Sequence, residues 1–275
     1  MERYFDIVGT MFKVSKKIVV FLVVVLGLIV IVITDSLFKK SDSGPGQMIE
    51  ENRQGLNQPD NSQGNVQKTY SGPVNPKAPI YSGRPLGEIR FGPGFEAPQE
   101  LISKHTKELA VLATTLNKNP LGSGGVNDWI AVGVIKKFFN DYEGTRDAWE
   151  YANVLYPNNA LSFANLGALY GFYLHDNSRA ELNYQKAITN DSYQPSYYLG
   201  LADFYKQVDK IHSYKVPEII LDGLSRIKDI NLLLYLASFY KDEGDKTNAI
   251  KYYNEVLKIS PDQAGIKEEI DKLSN

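Results

Sequence analysis

A leucine, a small residue directly after it and a tyrosine four positions beyond the leucine recur along this chain at a fixed interval. Leu166, Gly167 and Tyr170 are followed by Leu201, Ala202 and Tyr205, and these by Leu236, Ala237 and Tyr240, each 35 residues on. Phe163, Tyr198 and Leu233 stand three positions before each leucine, and Trp129, Val132 and Gly133 continue the pattern upstream after a step of 34. An interval of this size marks a solenoid, in which one supersecondary unit is repeated and each copy leaves an apolar face that only its neighbour covers. Within each unit the small residue marks where two helices approach closely. The aromatic residues, Trp129, Tyr170, Tyr205 and Tyr240, are expected to fill the space between neighbours.

These positions resemble the tetratricopeptide repeat, a family of helix–turn–helix units. The fourth unit, INLLLYLASFYKDEGDKTNAIKYYNEVLKISPDQ, carries the resemblance through Leu233, Leu236, Ala237, Tyr240, Gly244, Ala249, Tyr253, Val256 and Pro261. The second matches through Phe163, Leu166, Gly167, Tyr170, Tyr184 and Ala187, with one extra residue before Ala180. In the first unit Ala148, Trp149, Ala152 and Pro157 indicate a slightly short second helix. The third enters its second helix at Pro217 and carries Ile219, Ile220 and Gly223 there. The expected fold is all-α: a right-handed superhelical array of about four such helix pairs over residues 127–263. An amphipathic helix over 99–119, with Leu101, Ile102, His105, Leu109, Leu112, Ala113 and Leu116 on one face, precedes the array. A capping helix over 264–275, apolar only at Ile266, Ile270 and Leu273, follows it.

The N-terminal third is unlike the array. Residues 18–34, IVVFLVVVLGLIVIVIT, are uncharged and apolar but for Gly27 and Thr34. As a helix they extend ~25 Å, close to the ~30 Å hydrocarbon core of a bilayer. The run is longer than the apolar region of a cleaved secretory signal, and Lys39 and Lys40 stand where cleavage would fall. A transmembrane signal anchor is therefore expected, with the lipid bilayer as its partner. Arg3, Lys13, Lys16 and Lys17 in segment 1–17 outnumber Lys39 and Lys40 beyond the span, which assigns the N-terminus to the cytoplasm and the rest of the chain to the outside. Residues 35–98 read as a linker: from Ser41 to Glu100 there are 9 Gly, 8 Pro, 5 Ser, 5 Asn and 6 Gln, too few apolar groups to offset the entropy of ordering. Ile80, Tyr81, Leu86, Ile89, Phe91 and Phe95 interrupt that composition. They leave open whether residues 80–96 dock on the folded domain, dock on a partner or are incidental.

Several function classes find no residues to serve them. The chain has no Cys and 3 His, each isolated in sequence, so thiol chemistry and metal centres have no candidates; His105 reads as a packed core residue. A net charge of -2 gives nucleic acid no electrostatic foothold. GxSxG, GxxxxGK(S/T), HExxH and GxGxxG are absent, and no enzyme or cofactor is expected. The resemblance implies instead that the inner face, lined by the first helix of each unit, binds a protein or peptide. Its candidate residues are Asn127 and Lys137; Asn165 and Phe172; Asp203, Lys206 and Gln207; and Asn231, Tyr235, Ser238 and Lys241, with Tyr235 read as lying beside the groove rather than in a seam. The carboxylate clamp known in the family is not expected, because Ile130, Ala164, Leu199 and Leu234 occupy its usual lysine places and only Asn165 fits. The topology is similar to that of bacterial single-pass repeat proteins of secretion and envelope folding, so a membrane-anchored scaffold is expected. The alternative is a structural subunit of a membrane-associated oligomeric complex whose groove is filled either by another copy, as in a homo-oligomer, or by its own linker.

Overall fold

Five of the helices begin at an Asp or Asn whose side chain accepts a backbone N–H of the first turn, and these caps fix where those helices start. The computed structural model describes residues 73–275. The segment 1–17, the expected span 18–34 and the expected linker up to residue 72 lie outside the described residues. Among the described residues there are ten α-helices and no strand, and no helix is long and apolar enough to cross a membrane.

Helix α1 is Gln99–Lys118. Four pairs follow: α2 Val126–Phe138 with α3 Tyr142–Leu155, α4 Ala160–Phe172 with α5 Asn177–Asn190, α6 Pro195–Gln207 with α7 Val216–Arg226, and α8 Ile230–Asp242 with α9 Lys246–Ile259; α10 Ala264–Ser274 ends the chain. Asp141, Asn159, Asp176, Asp229 and Asp245 cap α3, α4, α5, α8 and α9, satisfying N–H groups that have no partner within the helix. Helices α6 and α7 lack such caps and instead carry Pro195 and Pro217 in their first turn, where a missing N–H costs nothing. The two helices of each pair pack on each other, and each pair packs on the next. Helix α3, expected to be short, has 14 residues, as do α5 and α9; the short second helix is α7, with 11.

The turn inside each pair shows how register is kept. Asn140, His175 and Gly244 all adopt positive φ, 58°, 55° and 78°, the left-handed conformation that ends a helix and reverses the chain. His175 lies one position further along its unit than Asn140 and Gly244 do in theirs, so the extra residue of the second unit is absorbed in this turn. The third unit has no left-handed residue there. A 3₁₀ stretch, Lys210–Lys215, fills the gap and presents Ile211 and Tyr214 to solvent.

Between units, Tyr184 of α5 explains two glycines. A Cβ on Gly167 of α4 would lie 2.8 Å from the Tyr184 ring, and one on Gly200 of α6 would lie 2.7 Å from it. The ring is thus held between the first helices of consecutive units, and only glycine leaves it room.

Residues 73–98 correct the expectation of a free linker extending to residue 98. They form an extended strap on the first pair and α1. Asn75 donates its backbone N–H to Leu155 O at 2.7 Å, Tyr151 Oη donates to Pro79 O at 2.9 Å, and Gly92 N donates to Phe139 O at 2.8 Å. Leu86 is 3% exposed and belongs to one apolar cluster with Leu109 and Leu116 of α1, Trp129 and Val132 of α2 and Tyr151 of α3; Tyr81, Ile89 and Phe95 pack against it. The few apolar residues spaced among Gly and Pro are the ones that bury, which answers for this segment the question of where residues 80–96 dock. Trp129 is corrected with it: its ring centroid lies 5.1 Å from Tyr81 of the strap and 4.6 Å from Tyr151, and its indole N–H donates to Pro120 O, so it seals the strap rather than a seam between repeats.

Candidate protein-binding face

The first helices lie side by side and are tied by side chains that cross from one unit to the next. Lys206 Nζ of α6 pairs with Asp242 of α8 at 2.7 Å and stands 5.9 Å over the Tyr235 ring. Lys137 Nζ of α2 lies 4.7 Å over the ring of Tyr173, which follows α4. These bridges place polar and aromatic groups between α2 and the end of α4 and again between α6 and α8, as a ridge along one side of the array.

The eleven expected residues divide into two sets. Asn127, Lys137, Asn165, Phe172, Lys206 and Lys241 are half-buried, and Gln207 and Asn231 are exposed; all eight lie on first helices and are open to a ligand. Asp203, Tyr235 and Ser238 are buried. Tyr235 is therefore in the seam, contrary to its reading as a residue beside the groove: its phenol donates to Asp203 Oδ1 at 3.0 Å, and the same oxygen accepts from Gln207 Nε2 at 3.0 Å. Burial and then the Asp203 charge push the Tyr235 phenol far above its ordinary value, so it stays a donor. Asp203 and Tyr235 form part of the floor of this face and lock α6 to α8, while Lys241 pairs with Glu269 of α10 at 3.1 Å and ties the last repeat to its cap.

The seams show a second use of the repeated tyrosine. Tyr170 Oη donates to Glu150 of the preceding unit and accepts from Arg179 at 2.9 Å. Burial, then Glu150, push its pKa up to about 12. Tyr205 contacts Glu181 in the same way, with Lys215 donating to Glu181 at 3.1 Å and to the Tyr205 oxygen at 3.4 Å. In the first unit the corresponding position, four beyond Val132, is Lys136. It is 1% exposed, and its ammonium donates to Glu88 O at 2.9 Å and Pro85 O at 3.4 Å in the strap while facing Asp141 at 3.5 Å. Burial lowers its pKa, and Asp141 opposes that shift. Arg84 of the strap pairs with Asp141 at 2.8 Å.

An open cleft of about 630 Å³ lies elsewhere, between strap residues 79–84 and Arg146, Asp147, Glu150, Tyr151 and Val154 of α3; it contains none of the eleven. Its charged wall is occupied by the ion pairs of Arg146 with Glu143 and Asp147. His105 packs on Phe138, ring centroids 4.4 Å apart, and contacts Glu108 at 2.8 Å. Among the described residues no group of three His, Asp or Glu is placed to hold a metal ion. Sequence reading missed Tyr142, Tyr173 and Asp242, because they stand at helix ends where the inner-face register does not select them.

Set against known families, residues 231–263 match the tetratricopeptide repeat. The chain carries a tetratricopeptide repeat. The match spans α8, α9 and the turn between them, and the three preceding helix pairs reproduce that arrangement with the departures described above. No curated protein matches the chain. Repeats of this kind generally bind protein or peptide partners.

Proposed function

We propose that this protein is a membrane-anchored scaffold that binds a protein or peptide on the face lined by α2, α4, α6 and α8 and carries out no catalysis of its own. The observation that carries the reading is the ridge itself: consecutive first helices, bridged through Lys206, Asp242 and Tyr235, present partly exposed polar and aromatic groups along one side. Both ends of the array are covered, by the strap and α1 at one end and by α10 at the other. That arrangement supports a partner approaching from the side over end-to-end stacking of copies. Anchoring is proposed from the apolar run 18–34, and placement of the array outside the cytoplasm from the excess of basic residues before it. A role in a bacterial envelope assembly or in secretion follows from the resemblance of this topology to single-pass repeat proteins of that kind.

Photo-crosslinkers placed at Asn165, Gln207 and Asn231 of the full chain in native membranes test the binding face. Heterologous protein adducts are expected from these positions and not from Lys186, on the outward side of α5. Stoichiometric self-adducts in their place would establish the structural-subunit alternative. Protease added to intact cells tests the topology: cleavage of the array is expected, and full protection while the outer side of the membrane is accessible would overturn the orientation.

A further inference from the structure

The part of this face nearest the strap differs from the rest in what it offers a ligand. Phe91 of the strap is 58% exposed and stacks on Phe95, centroids 5.1 Å apart; Phe95 in turn meets Phe138 of α2 edge-on at 5.5 Å. A second pair, Tyr142 and Tyr173, lies with centroids 4.8 Å apart and carries Lys137 over the Tyr173 ring. Asn140 joins the two groups. Its amide donates to Pro93 O of the strap at 3.1 Å, and its amide oxygen accepts from Tyr142 at 3.1 Å. The result is an aromatic ledge built in part from residues outside the repeats.

Its charge is what selects a partner. Lys206 and Lys241, the other candidate cations of this face, are ion-paired to Asp242 and Glu269. Lys137 has no carboxylate within ion-pairing distance among the described residues and rests only on an aromatic face. A half-buried cation beside exposed rings favours a ligand that supplies both an apolar side chain and a negative charge, since the rings gain from burial and the cation from neutralisation.

Resting on the protein-binding reading above, we propose that the ledge of Phe91, Phe95, Phe138, Lys137, Tyr142 and Tyr173 docks a protein segment that places an aliphatic or aromatic side chain on the rings and a carboxylate at Lys137. The strap is then part of the binding surface as well as part of the fold.

A library of random short peptides displayed on phage and selected against the full chain in detergent tests this. Enriched peptides are expected to share an acidic residue beside large apolar ones. For the best of them, made synthetically, Lys137→Glu should weaken binding by at least about ten-fold, and exchanging the peptide's acid for lysine should restore binding to that variant alone. Phe91→Ser should weaken binding with little change in melting temperature, whereas Lys186→Ala, on the outward side of α5, should leave it unchanged. Failure to enrich any peptide overturns the proposal, as does enrichment without acidic residues. Binding that ignores Lys137 and Phe91 but is lost in Gln207→Ala or Asn231→Ala overturns the ledge and spares the protein-binding reading; absence of any heterologous photo-adduct removes that reading itself. Self-association of the full chain in sedimentation, abolished by Phe91→Ser, would show that a second copy covers the ledge and would likewise contradict the proposal.

Discussion

The first unit and the two seams that follow it solve one packing problem with different chemistry. At Tyr170 and Tyr205 the neighbour is a helix of the preceding unit, and a buried phenol meets one of its carboxylates, Glu150 or Glu181. At Lys136 there is no preceding repeat. The neighbour is an extended strap that turns bare carbonyl oxygens toward the same position, and an ammonium supplies the donors. A helix spends its carbonyls internally, so a seam between helices must be made by side chains; an extended chain leaves them free, so a cation suffices. One structural position thus reports, through its residue, whether a repeat or a strap lies against it.

The sharpest way to break this comparison is Lys136→Met. Removing one partner of a buried charge pair typically costs ~3 to 5 kcal/mol, and the low end is expected here because Arg84 still faces Asp141. Hydrogen exchange should show protection lost first in strap residues 79–95 and retained over 231–263; uniform loss would mean that Lys136 supports the whole array and not the strap. Next is Gly167→Leu, which forces a side chain into the space of Tyr184 and should cost ~1 to 3 kcal/mol by overpacking. An unchanged melting temperature would refute the register of the repeats.

Alkaline pH separates the two kinds of seam without mutation. Burial first, and the adjoining carboxylates second, raise Tyr170 and Tyr205 above their ordinary 10.0. Above pH ~10 the unfolded chain therefore loses phenolic protons that the native state retains, and stability falls as pH rises. Lys136 contributes with the opposite sign, because its pKa is lowered on folding: between its folded value and its ordinary 10.5 the unfolded chain holds more protons, and stability rises with pH. Thermal melts followed by absorbance should show a net decline above pH ~10, and the decline should be steeper in Lys136→Met, which lacks the opposing contribution. The smallest effect is expected from Lys206→Ala. Its pair with Asp242 is largely solvated, worth ~0.2 to 1 kcal/mol, so stability should barely move while adducts at Gln207 change; a large loss of stability would make the ridge a structural element.

Much of this architecture was legible in the sequence, because its causes are local and periodic. The 35-residue step placed Gly167 against its partner helix, and the apolar spacing of α1 and α10 marked both as helices with one covered face. What escaped depends on contacts without a period. The strap reads as linker by composition, since Tyr81, Leu86, Ile89 and Phe95 are separated by Gly and Pro and follow neither helical nor strand spacing. Lys136 is not singled out by the sequence, since nothing local announces that carbonyls from residues 85 and 88 will meet it. Tyr235 was misplaced because its burial is decided by Asp203, 32 residues away, and by how closely α6 approaches α8. The accessible positions on the first helices, Asn165, Gln207 and Asn231 among them, were legible from register, whereas the aromatic ledge required the strap to be placed first.

Deletion of residues 82–96, followed by calorimetry on the otherwise full chain, tests most directly the claim that the strap completes the first unit. The melting temperature should fall clearly, since the deletion removes Leu86, Ile89 and Phe95 from the apolar cluster and Arg84 and the Glu88 carbonyl from Asp141 and Lys136. A melting temperature equal to that of the intact chain would mean that the array closes its own first face, and the strap would return to being a linker.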